Sequence, residues 1–110
     1  MIQKNLKGSA RYAVIFTSQR APNDPKGYSE TAARMIELVG RQPGCLGFDS
    51  ARDGAGFGIT VSYWDSLEAI KTWRAQPEHQ QAQAGGQNSW YAHYDVHISK
   101  IERSYSFPKP

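Results

Sequence analysis

His79 and Trp73 are the side chains of this sequence best suited to chemistry. An imidazole can take up and return a proton near neutral pH. An indole offers a flat apolar wall with one polar edge. On a continuous helix a six-residue separation would turn the two to different faces. Pro77 lies between them, and proline opens a helix more readily than it continues one. The break resets the phase, so both side chains can face the same way. In the plainer reading, Trp73 only closes the inward stripe Leu67, Ile70, Trp73, and His79 is one more residue of a first helical turn. The other reactive types offer less. His93 and His97 are spaced for a metal on a helix, but their segment reads as a strand, where four residues span roughly 13 Å, too far for one ion with His bonds near 2 Å. Cys45, between Gly44 and Leu46, reads as a small buried hydrophobe. No Ser/His/Asp order, carboxylate pair or phosphate-cradling glycine loop stands out. A function must therefore come from a cavity.

The elements that position these residues follow from periodicity and turn chemistry. Residues 11–18, RYAVIFTS, read as a strand, and 19–27, QRAPNDPKG, as a loop. A helix follows from about Tyr28 to Val39, with Tyr28, Ala32, Met35, Ile36 and Val39 on one face and a stop at Gly40 and Pro43. Residues 45–52 and 57–64 are strands joined by a turn at Asp53-Gly54 with Gly56. Asp65 with Glu68 suggests a capping box for the next helix, which breaks near Pro77 and ends at Gly85-Gly86. The last strand runs from about Tyr91 to Tyr105. The order is β-α-β-β-α-β: an α+β, ferredoxin-like fold, with both helices on one face of a four-stranded antiparallel sheet. In the first strand Tyr12, Val14 and Phe16 alternate with Ala13, Ile15 and Thr17, so neither face is clearly polar. Something is expected to cover the face that the helices leave open.

The bulk properties exclude several classes. A length of 110 residues suits one domain; we expect a flexible segment over 1–8, the domain over 9–107 and a tail over 108–110. A mean hydropathy of −0.64 is low for so short a chain, and a partner subunit would help to bury its apolar surface. Thirteen basic against ten acidic residues give a net charge of +3, spread from Lys4 to Lys109 without a basic run, so the usual footprint for nucleic acid is missing. The fold is shared with RNA recognition motifs, and residues 55–62, AGFGITVS, resemble one of their strands. However, Ala55 stands where a base is needed and Ile59 where an aromatic must stack. One cysteine allows no internal disulfide. No segment has the apolar length of a membrane span or the core of a signal peptide. These features suit a cytoplasmic protein without a membrane partner.

Several blocks occur in an order that is similar to a known family: Pro43-Gly44-Cys45-Leu46-Gly47, then GITVSYWDSLEAIKTW, Glu78-His79 with Ala82-Gln83, Trp90-Tyr91, and Ile101 to Phe107. Together they resemble the antibiotic biosynthesis monooxygenase (ABM) domain, and most of all its small stand-alone bacterial members. The likeness covers about residues 9–107. It implies a homodimer packed sheet against sheet into a dimeric α+β barrel, which would cover the open face, and a pocket between sheet and helices in each subunit. Some members of that family oxidise polyketide-type aromatics with molecular oxygen and no cofactor. Others bind and degrade haem, using a first-strand Asn, a helix Trp and a His ten residues beyond it. Trp73 matches that Trp in placement, nine residues after Trp64. Ten residues beyond Trp73 stands Gln83, and residues 11–18 hold no Asn. The expectation is therefore no metal, no tight haem binding and no other cofactor, with a haem-degrading monooxygenase as the least favoured alternative.

On this reading Phe16, Tyr63, Trp64 and Trp73 would wall an apolar cavity for a small aromatic ligand, with His79 as proton acceptor. Trp73 and His79 would be the catalytic pair of a cofactor-independent monooxygenase. The alternative is a non-catalytic, small-molecule-binding or stress-associated dimer. An open pocket with a polar centre favours the first, and a pocket filled by its own side chains favours the second.

Overall fold

A computed structural model describes residues 6–21, 28–85 and 90–108. Four strands, β1 (Tyr12–Arg20), β2 (Cys45–Arg52), β3 (Phe57–Trp64) and β4 (Tyr91–Lys100), form one antiparallel sheet in the order β2-β3-β1-β4. Three helices, α1 (Tyr28–Gly40), α2 (Leu67–Ala75) and α3 (Pro77–Gly85), accompany it. The fold is the ferredoxin-like α+β arrangement that the sequence pattern implies.

The register sorts the side chains into cross-sheet rows. Successive strand residues point to opposite faces, so the face holding Trp64 also holds Tyr12, Val14, Phe16 and Ser18. The helices cover that face at one end. Trp64 is fully buried there, beside Leu38 and Val39 of α1 and Ile70 and Trp73 of α2, with Tyr12, Val14, Met35, Cys45 and Phe48 packed around them. The Trp64 indole N–H donates to Ser62 Oγ at 2.8 Å, which satisfies a polar group that burial would otherwise penalise.

Several local details differ from the sequence expectation. Ser66 caps α2, accepting from the Ala69 N–H at 3.1 Å, whereas Asp65 was the expected cap. Asp65 sits one residue too early, beside Gly44, to whose carbonyl its own N–H donates at 2.9 Å. Ile36 is 47% exposed, since Met35, Leu38 and Val39 already fill the inward arc; the side chain of Tyr28 lies outside the described residues. The N-terminal stretch read as flexible includes a 3₁₀ turn, Leu6–Ser9, lying against β2, and Ala10 beyond it is buried. The last strand ends at Lys100 rather than Tyr105. Ile101 makes one further bond, to the Arg11 carbonyl at 2.8 Å. Beyond it no further backbone bond forms among the described residues, and Tyr105 and Phe107 stand almost wholly exposed.

The hairpin between β2 and β3 turns on Asp53, whose carboxylate accepts from the Ala55 and Phe57 N–H groups at 2.9 Å each. Gly56 takes the left-handed conformation, φ 92°, that this turn requires. The face opposite the helices carries Ala13, Ile15, Val61, Tyr63, Phe57 and Ile59, and on β4 His93, Asp95 and His97. Phe57 and Ile59 are 40% and 43% exposed. No helix among the described residues is long and apolar enough to cross a membrane.

Candidate functional site around His79

Pro77 builds the site by a missing hydrogen. In a continuous helix the Trp73 carbonyl would accept from the N–H four residues on, and proline has none. The carbonyl instead accepts from the Gln76 N–H at 3.1 Å and pairs with His79 Nδ1 at 2.9 Å. The chain leaves the helical conformation at Gln76, φ −64° and ψ 129°. It re-enters at Pro77, with the Gln76 side chain capping α3 by accepting from the His79 N–H at 2.8 Å. A carbonyl oxygen can only accept, so Nδ1 carries a proton and donates it. In the neutral ring the lone pair is then on Nε2.

The same break stacks His79 on Trp73. Their ring centroids are 4.1 Å apart and their planes 13° from parallel. Burial pushes the His79 pKa below its ordinary value, the Trp73 carbonyl pulls it back up in part, and the nearby Arg74 charge lowers it further. Net depression keeps the imidazole neutral at pH 7, the form a general base needs. Glu78, one residue earlier, forms a two-pronged pair with Arg34 of α1, at 2.9 and 3.1 Å. That pair ties α3 to α1, and the Arg34 hydrogen bond holds the Glu78 carboxyl below the usual range.

The other expected site residues divide between the two faces of the sheet. Trp64 lies on the helix side but is wholly buried, so it forms part of the floor beneath Trp73. Phe16 is on the same side, one row beyond Val14, and half-buried. Tyr63 follows the strand alternation to the opposite face, where its hydroxyl donates to Asp49 Oδ2 at 3.2 Å. It cannot join a helix-side cavity with Trp64, because neighbouring residues of a strand point apart. Two clefts are found beside the site. One, about 340 Å³, lies among Leu67, Ile70, Lys71, Arg74, Gln80 and Ile98. The other, about 360 Å³, lies between α1 and α3 along Arg34, Met35, Glu78 and Trp90. Neither is lined by Trp73, His79 or Phe16. Among the described residues no cluster of three His, Cys, Asp or Glu side chains could hold a metal. The residues also do not fit haem by the Asn–Trp–His route: the helix-facing side of β1 presents Tyr12, Val14, Phe16 and Ser18, and position 83 is Gln.

Residues 11–85 match the family model described as antibiotic biosynthesis monooxygenase. The chain is also 51% identical over 96 residues to the uncharacterized protein YqjZ of Bacillus subtilis, covering 87% of this chain and 83% of that protein. The chain belongs to the antibiotic biosynthesis monooxygenase family. Solved structures agree on the fold at low identity. Rv0793 from Mycobacterium tuberculosis superposes with a TM-score of 0.76 at 17% identity, over 88% of this chain and all of that one. PA3566 from Pseudomonas aeruginosa gives 0.72 at 14%, over 86% and 96%. A structure described as an antibiotic biosynthesis monooxygenase gives 0.71 at 15%, over 82% and 97%. Family membership accounts for the sheet-and-helix frame. The link from Pro77 through the Trp73 carbonyl to His79 was only half legible in the sequence: proline signalled the break, but nothing signalled which ring nitrogen the freed carbonyl would take.

Proposed function

We propose that the protein is a cofactor-independent monooxygenase acting on a small aromatic or polyketide-like substrate, with His79 as general base and Trp73 as the surface that holds its imidazole. The observation that carries the reading is the His79–Trp73 pair: a neutral imidazole, stacked at 4.1 Å and fixed through Nδ1, with its basic nitrogen Nε2. In the reaction His79 takes a proton from an activated phenol or an anthrone-type CH₂. The resulting carbanion gives electrons to molecular oxygen and a C–O bond forms. The hydroperoxide then loses water to leave a carbonyl, and the proton on His79 returns with that water. Phe16, on the helix side of the sheet, would bound the substrate, and a second copy of the chain would cover the sheet's open face. The test is oxygen uptake with a panel of anthrone and dihydroxynaphthalene compounds. Catalysed uptake with any of them, abolished in His79→Ala, supports the reading.

One observation favours the alternative, a non-catalytic small-molecule-binding dimer. Trp64 and Trp73 occupy the space between sheet and helices, with 0% and 8% of their surface exposed. Absence of uptake across the whole panel would favour that reading.

A further inference from the structure

Helix α2 presents more than its core stripe. Ile70 and Trp73 are its buried residues. Leu67, Ile70, Lys71 and Arg74 follow the spacing i, i+3, i+4, i+7, so they form one continuous face of the helix. On a face packed into the core all four positions would be apolar. Here the first half is apolar and the second half carries two cations. This face lines a cleft of about 340 Å³ together with Ala75, Gln80 and Ile98 of β4.

The apolar half of the cleft is only partly filled. β4 is an edge strand, and the register sets Ile98 beside Val14 on the face that the helices pack on. The helices stop short of it: Ile98 is 44% exposed and Leu67 52%, while Ile70 is buried. A ligand that covered Leu67 and Ile98 would gain the free energy of taking both out of water. The cationic half is also uncompensated. Among the described residues neither Lys71 nor Arg74 forms an ion pair, in contrast to Arg34 and Arg41. No acidic and no aromatic side chain lines the cleft. In the competing reading Arg74 only complements the carbonyl end of α2 and Lys71 is one more solvated cation. That reading accounts for the charges but not for the exposed Leu67 and Ile98 beside them.

We propose that the cleft between α2 and β4 binds an amphipathic carboxylate with an aliphatic body, the chain lying along Leu67, Ile70 and Ile98 and the carboxylate resting on Lys71 and Arg74. Leu67 and Arg74 are seven residues apart, about 10 Å along the helix, so a chain of medium length spans the cleft. An ion pair open to water adds little, and most of the affinity comes from the chain. The site goes beyond the proposed oxygenation: neither His79 nor Trp73 lines the cleft, and filling it needs no oxygen.

The experiment is an NMR titration of the full chain with hexanoate, octanoate and neutral octanamide, following the methyl signals of Leu67, Ile70 and Ile98. All three signals should shift. Octanoate should bind roughly tenfold more tightly than hexanoate, because two further methylenes are buried. It should bind at least threefold more tightly than octanamide, because two cations face its charge. Lys71→Gln/Arg74→Gln, at two exposed positions, should lose the preference for the carboxylate and keep its affinity for octanamide. Ile98→Thr should weaken both octanoate and octanamide, and decides the matter if the double variant does not fold. Equal affinity for octanoate and octanamide, equal affinity for the two chain lengths, shifts absent or centred on other residues, a preference unchanged in the double variant, or affinities unchanged in Ile98→Thr would each overturn the site. An octanoate affinity that falls as the protein concentration rises would place a second copy of the chain in the cleft, and would overturn it too.

Discussion

Replacing His79 by Ala removes a defined set of contacts. The variant loses a parallel ring stack, worth about 0.5–1.5 kcal/mol, and one hydrogen bond, worth about 0.5–1.5 kcal/mol. The Trp73 carbonyl keeps its Gln76 N–H partner at 3.1 Å, so no further penalty for an unpaired buried acceptor arises. The expected cost at pH 8 is therefore about 1–3 kcal/mol, read from urea unfolding at fixed protein concentration. Each kcal/mol should also lower Tm by about 4–8 °C. The substitution should change the pH dependence as well. The folded His79 pKa lies below its unfolded value of about 6.5, so below that pH the unfolded state binds more protons. Stability is fully present above about pH 6.5 and declines as pH falls towards the folded pKa. His79→Ala should flatten this decline, so the gap between variant and wild type should narrow at pH 5.5. A cost below about 0.3 kcal/mol at pH 8, or an unchanged decline in the variant, would refute the stacked, buried imidazole.

Further expectations concern the frame and the assembly. Gly44→Ala should cost about 2 kcal/mol or more in unfolding free energy: φ is 86° there, and a Cβ would meet the Ala69 Cβ at 2.5 Å; a cost near zero would contradict that packing. Light scattering at micromolar concentration should give twice the 12.3 kDa chain mass, with Ile59→Lys shifting it towards monomer; a wild-type monomer would remove the sheet-to-sheet dimer. Trp64→Ala should cost about 3–5 kcal/mol by calorimetry, and a smaller loss would mean that the core does not centre on Trp64.

The sequence carried the frame where turn chemistry is local. Pro43-Gly44 and Asp53-Gly54 bracket β2 and β3, whose bounds were read without error. Pro77 likewise placed the break between α2 and α3. What it did not carry depends on partners distant in sequence. The end of β4 is set by where β1 begins, so strand-like residues beyond Lys100 could not reveal it. Tyr63 and Trp64 were read as one wall because both are large and aromatic, although strand alternation alone separates them. Nothing in the sequence singles out Arg52. Its crossing to Ser18 follows only from the register that sets Gly58 and Ser18 beside it, and a glycine inside a strand is a hint of such a close approach.

The most direct test of the central claim is the turnover rate of oxygen uptake under saturating substrate, using whichever anthrone or dihydroxynaphthalene of the panel the wild type turns over, compared with His79→Ala. With His79 as the base, the variant should still bind substrate while its rate falls on the order of a hundredfold or more. A rate within about twofold of wild type would take His79 out of the chemistry and contradict the account.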